Sequence, residues 1–204
     1  MSAPQGSPEW LAERLGKVTA SRIDDLMART KTGYGASRVN YMAQLIVERL
    51  TGNVAESYTN AAMQWGTDNE PAARAAYEFV TDVEVVETGF ILHPTVQDSG
   101  ASPDGLVGDI GLVEIKCPNS ATHIETLLTK TVPGKYRKQM LWQMACTVRG
   151  WCDFVSFDPR MPEHLRLFVQ RVSFDGEEVQ RMENEVTTFL AEMNEKIDRL
   201  KKTA

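Results

Sequence analysis

Apolar residues recur along this chain with two different periods, and the changes of period mark its elements. Near the start, Ser7-Pro8-Glu9 puts a hydroxyl at a cap, a proline in the first turn and an acid at the positive end of the dipole. It predicts a short helix carrying Trp10, Leu11 and Leu15 and ending at Gly16. Thr19-Ala20-Ser21 predicts a second helix, with Ser21 and Asp24 spaced as a capping box and Ile23, Leu26 and Met27 as its stripe. Val39, Met42, Leu45, Ile46 and Leu50 predict a third, closed by Thr51-Gly52. The alanine-rich sequence around Trp65 to Arg74 is helical, and Pro71 predicts either a kink or a fresh start capped by Thr67. Val83 to Leu92 is rich in β-branched residues and predicts one strand or two, broken near Thr88-Gly89. Helical stripes run over Ser120 to Lys130 and Lys135 to Val148, separated by Pro133-Gly134, and Gln139 and Gln143 lie four apart beside the second stripe. Trp151 to Phe157 and Leu165 to Phe174 predict strands. A long final helix starts at Asp175 and aligns Val179, Met182, Val186, Leu190, Met193, Ile197 and Leu200, with apolar surface to spare for the sheet or another subunit. This order predicts an α/β domain with a mixed central β-sheet flanked by helices.

The chemistry-bearing stretch runs from Ser102 to Pro118. Leu106-Val107 and Leu112-Val113 flank the turn formers Gly108-Asp109-Ile110-Gly111, which predicts a hairpin. Glu114 and Lys116, two apart on the second strand, point to one face. Asp104, before the turn, comes beside them with a small shift of register. Two carboxylates and an ammonium on one patch of sheet suit metal-assisted phosphodiester cleavage: hard oxygens hold Mg²⁺, and the amine orients or acidifies the attacking water. By itself the pattern has a plainer explanation, because Ser-Pro-Asp-Gly is a common turn and Glu-x-Lys is often an ion pair on an exposed strand.

Composition narrows the choice. The chain has 204 residues, 42% of them hydrophobic, which suits one globular domain spanning 7–204 after a disordered stretch at 1–6. It has no apolar run that could span a bilayer and no basic, apolar leader at its start. Cys117, Cys146 and Cys152 lack C-x-x-C spacing and predict reduced thiols in a cytoplasm; His93, His123 and His164 are scattered and predict structural or surface roles. Net charge is −6, yet Arg14 to Arg38 holds six basic residues against two acidic, and Thr126 to Cys152 holds five basic and no acidic. Basic stretches on an acidic body fit a protein that confines DNA to one surface, although ordinary solvated faces have the same composition.

Several motifs together resemble the lambda-type phage exonucleases, the YqaJ-like viral recombinases of the PD-(D/E)xK nuclease superfamily. They are Arg14-Leu15-Gly16-x-x-Thr19-Ala20-Ser21, Trp65-Gly66-x-x-x-Glu70-Pro71-x-x-Arg74, Ser102-Pro103-Asp104-Gly105, Glu114-Ile115-Lys116-Cys117-Pro118, Gln139 in a later helix, and Phe157-Asp158-Pro159-Arg160-Met161. They occur in the family's order over most of the chain.

The resemblance implies a restriction-endonuclease-like core. It implies that Asp104, Glu114 and the carbonyl of Ile115 bind Mg²⁺, that Glu70 helps hold a second ion, and that Mn²⁺ substitutes. Lys116 and Gln139 would act on the water and the scissile phosphate, and Arg14 and Ser21 would hold a 5′-terminal phosphate. The implied activity is 5′-to-3′ digestion of one strand of linear double-stranded DNA to 5′-mononucleotides, leaving 3′ overhangs. A homotrimeric ring, a single-strand annealing partner and a phage or prophage origin in a bacterial cytoplasm are implied with it. The rival expectations are an endonuclease or repair nuclease of the same superfamily, and a DNA-binding protein on a decayed core. The iron–sulfur branch needs four cysteines, and this chain has three.

Overall fold

The computed structural model describes residues 3–54 and 60–203. In chain order the elements are α1 (Pro8–Arg14), β1 (Val18–Thr19), α2 (Ile23–Leu26), β2 (Arg29–Thr30), β3 (Gly33–Tyr34), α3 (Ala36–Thr51) and α4 (Ala61–Thr81). They continue with β4 (Val85–Val86), β5 (Ile91–Leu92), β6 (Ser99–Ala101), β7 (Gly105–Val107), β8 (Gly111–Lys116), α5 (Ser120–Thr129), α6 (Gly134–Thr147), β9 (Trp151–Phe157), β10 (Leu167–Ser173) and α7 (Gly176–Lys201). The main sheet has the order β10-β9-β8-β7-β4, with β8 and β9 parallel and the other pairs antiparallel. Beside it lie a small sheet in the order β1-β6-β5 and the hairpin β2-β3.

The centre of the fold is β8, buried along all but its last residue. Leu112 belongs to the larger core with Met140, Leu141 and Met144 of α6 and the α7 stripe. Val113 and Ile115 face the other way, onto Ala73 and Tyr77 of α4. Alternation therefore turns Glu114 and Lys116 toward α6. Helices cover both faces, which is why β8 reads as a nearly continuous apolar run broken by one buried acid.

Local chemistry explains most element ends. Ser7, Asn60, Asn119 and Asp175 cap α1, α4, α5 and α7 by accepting a main-chain N–H, and Gly52 ends α3 in the left-handed region. Two expectations change. Ser21 does not cap a helix: the chain first makes a 3₁₀ turn over Ala20–Arg22, and α2 starts with no side-chain cap. Thr67 does not start a helix either, since α4 runs from Asn60 through Pro71, and the Thr67 hydroxyl donates back to the Met63 carbonyl. Before α1, Gln5 donates to the carbonyls of Thr88 and Pro103 at 2.9 and 2.8 Å, while Met1 and Ser2 lie outside the described residues. Among the described residues, no helix is long and apolar enough to cross a membrane.

Candidate active site

The β7–β8 hairpin sets the first geometry. Gly105 pairs with Val113, Leu106 with Leu112 and Val107 with Gly111, so the turn is the three residues 108–110, with Gly108 at φ +50°. One step beyond the last pair, the same register brings Asp104 opposite Glu114. No slip is needed. Asp104 Oδ2 accepts the Ile115 N–H at 2.6 Å, which draws its carboxylate across the end of the hairpin.

Glu114 is fully buried and its carboxylate has three partners. Gln139 donates to Oε1 and Gln143 to Oε2, each at 2.6 Å, and the Lys116 ammonium pairs with Oε1. The Lys116 amine also lies 5.3 Å from the centre of the Tyr136 ring. Burial opposes the charge on Lys116, but Glu114 and Asp104 outweigh it and raise its pKa, so the ammonium is secure at neutral pH. Asp104 is pushed well above the usual carboxylate range, first by burial and then by the negative charge of Glu114, with Lys116 opposing. Glu70 reaches the same field from α4, on the other side of the sheet. Burial raises its pKa most, Arg74 and Lys116 lower it, and Glu114 raises it; its carboxylate pairs with Arg74 at 2.7 Å.

Hard oxygens dominate this donor set, and negative charge exceeds positive around Asp104. Both features fit Mg²⁺ or Mn²⁺, which bind few protein oxygens and keep several waters. Thiolate ligation does not fit, because burial raises the pKa of the neighbouring Cys117 to about 12. Among the described residues, no group of three or more His, Cys, Asp or Glu side chains is arranged to hold a metal ion, so an ion here would rely on fewer carboxylates together with main-chain oxygen and water.

Arg14 and Ser21 are placed elsewhere. They line one pocket of about 420 Å³ with Trp10, Lys17, Thr19 and Arg22. The Arg14 guanidinium lies 3.9 Å over the Trp10 ring and donates to Ser102 Oγ at 3.4 Å, while the Trp10 indole donates to the same hydroxyl at 2.9 Å. Ser102 is two residues from Asp104, so it links the pocket to the acidic patch. Much of the basic charge counted in the sequence is neutralised: Arg22 pairs with Asp25, Arg29 with Glu185, Arg38 with Glu192, Lys138 with Asp24 and Arg137 with Glu178.

Gln143, Tyr136, Ser102 and Trp10 join the site without having been singled out for it. Gln143 had a signal in its spacing from Gln139; Trp10 and Ser102 read locally as an apolar helix residue and a turn residue. The histidines lie apart. His123, for one, is buried between the Ser156 hydroxyl and the Leu165 carbonyl, each at 2.8 Å. The Asp158 motif buttresses the site. Arg160 grips the Asp158 carboxylate, donates to the Pro118 carbonyl at 3.2 Å and stacks 4.3 Å from the Trp65 ring, tying the end of β9 to the loop after Lys116 and to α4.

Fold and site together define a phage-exonuclease-like α/β protein. The chain belongs to the YqaJ-like viral recombinase domain family, whose sequence pattern matches residues 9–149. It is similar to a crystal structure of an alkaline exonuclease (LHK-Exo) from Laribacter hongkongensis, at 53% identity over 97% of each chain and a TM-score of 0.91. The structure of LHK-Exo in complex with dAMP matches at the same identity and coverage with a TM-score of 0.92. A phage related exonuclease from Haemophilus somnus 129PT shares the fold at 15% identity, with 92% of this chain and 96% of that one covered and a TM-score of 0.72. No curated protein matches.

Proposed function

We propose that this chain is a divalent-metal-dependent exonuclease that digests one strand of linear double-stranded DNA from its 5′ end. It releases 5′-mononucleotides and leaves 3′ overhangs for recombination by strand annealing. The observation that carries this reading is the gathering of Asp104, Glu114, Lys116 and Gln139 on one patch, in a chain 53% identical to an alkaline exonuclease. The dAMP complex of that relative supports a deoxynucleoside monophosphate as the unit released.

Asp104 and Glu114 would hold Mg²⁺ or Mn²⁺ with the Ile115 carbonyl, and Glu70 would serve a second ion. The bound ion would supply Lewis acidity and a more acidic water. Lys116, kept protonated by its carboxylate neighbours, orients the attacking water and stabilises charge developing on the phosphorane. Gln139 steadies the water or the scissile phosphate. Arg14, with its charged fork, and Ser21, with its hydroxyl, receive the 5′ phosphate. A homotrimeric ring around DNA, an annealing protein as partner and a bacterial cytoplasmic setting belong to the same proposal.

The test is digestion of end-labelled linear duplex with and without Mg²⁺. Metal-dependent release of the 5′-terminal label as mononucleotide is expected, and Lys116→Ala should lower kcat by about 100-fold or more with an unchanged circular dichroism spectrum. Cutting of closed circular duplex would make the protein an endonuclease. Binding without any product would leave a decayed core.

A further inference from the structure

One side chain on Glu114 has no part in the chemistry above. Gln143, one turn along α6 from Gln139, is fully buried, and its Nε2 donates to Glu114 Oε2 at 2.6 Å. Its own Oε1 has no hydrogen-bond partner. A buried amide with an orphaned oxygen is destabilising, and an apolar side chain of the same shape would avoid that cost. Packing therefore gives no reason for a glutamine here; the bond to Glu114 does.

The two oxygens of Glu114 are treated differently. Oε2 takes the buried Gln143. Oε1 takes Gln139 and Lys116, both partly exposed, and these two donors fill the two lone-pair sites of that oxygen. We infer that Gln143 is a positioning residue that pins the inner oxygen of Glu114, so that Oε1 is the oxygen presented to a divalent cation. At least one of Gln139 and Lys116 then leaves Oε1 on loading and is free to act on water and phosphate. The inference rests on Glu114 being a metal ligand.

The test needs no DNA. Mn²⁺ is titrated into wild type, Gln143→Met and Gln139→Met, following the thermal midpoint and the apparent affinity. Without metal, Gln143→Met should fold with a wild-type circular dichroism spectrum but melt below the wild-type temperature, because the buried inner oxygen of Glu114 loses its donor. Its apparent Mn²⁺ affinity should fall about 10- to 100-fold, the usual effect of losing a partner that orients a ligand. Gln139→Met should bind Mn²⁺ nearly as wild type does, while losing kcat in digestion. In a Glu114→Gln background, adding Gln143→Met should change Mn²⁺ affinity no further. If Gln143→Met does not fold, Gln143→Leu provides the same comparison. A wild-type response that the Gln143 variant keeps in full, or equal weakening in the Gln139 variant, overturns the inference alone. A wild-type protein with no Mn²⁺ response overturns the metal reading of the site and this inference with it.

Discussion

Asp158 illustrates what a single residue must balance. Its side chain is fully buried, and burial pushes its pKa up. Hydrogen bonds from the Arg160 side chain, Ser120 and the Arg160 main chain more than offset this and bring it down to about 2. The folded value lies below the unfolded one of about 3.9, so the carboxylate contributes stability above about pH 4, and that contribution fades as pH falls toward about 2. We expect Asp158→Asn to lower stability by about 1–2 kcal/mol at pH 7, discounted because the Arg160 side of the pair is open to solvent. In urea unfolding the gap between wild type and variant should close between about pH 4 and about pH 2. A gap that stays constant over that range would mean that the charge is not what stabilises. The motif was visible in the sequence, but its task was not, because that task depends on Pro118 and Trp65, which are remote in the chain. Gln143 was obscure for the same reason: its partner Glu114 is 29 positions away on a strand.

Elements were legible where their cause is local. Caps, the glycine stop of α3 and the hairpin turn follow from neighbouring residues, and the last helix shows its stripe from Val179 to Leu200, about six turns. Register and sheet order are not local, and neither is the choice between a capping box and a 3₁₀ turn at Ser21, which depends on β1 pairing with β6 just before it. Gly105 marks the boundary. In the sequence it is the glycine of a turn motif; in the structure it is a strand residue of β7, and a Cβ there would overlap Val85 Cγ1 and come within 3.2 Å of Val113 Cγ1. The glycine lets β4 close over β7 directly beside Asp104. Gly105→Ala should therefore destabilise the protein by about 1–3 kcal/mol, by overpacking, and slow digestion by shifting Asp104. Adding Val85→Ala should recover part of both, since it removes the atom in the way. Thermal melts and initial rates of the two variants check this, and full activity in Gly105→Ala would show that Asp104 tolerates the shift.

At the scale of the whole molecule, a net charge of −6 and the acid partners of Arg22, Arg29, Arg38, Arg137 and Lys138 weaken general attraction for a polyanion. Recognition must then depend on a few placed donors, and Arg14 is the best placed. Burial lowers its pKa, Trp10 supports its plane, and Ser102 connects it to the loop that carries Asp104. A terminal phosphate held in that pocket would be held relative to the acidic patch, so the pocket would select ends and also set their position. Charge-assisted hydrogen bonds of this kind contribute about 1.5–3 kcal/mol, or about 10- to 100-fold in binding. We therefore expect Arg14→Ala to raise KM for 5′-phosphorylated linear duplex by that factor, with a smaller change in kcat. Duplex ending in a 5′ hydroxyl should change little, because it never engaged the guanidinium. Initial rates on the two substrates, measured across a range of DNA concentrations, decide the matter. Equal losses on phosphorylated and unphosphorylated ends would mean that Arg14 supports the fold or the duplex rather than the terminal phosphate, and the pocket would have to be assigned another task.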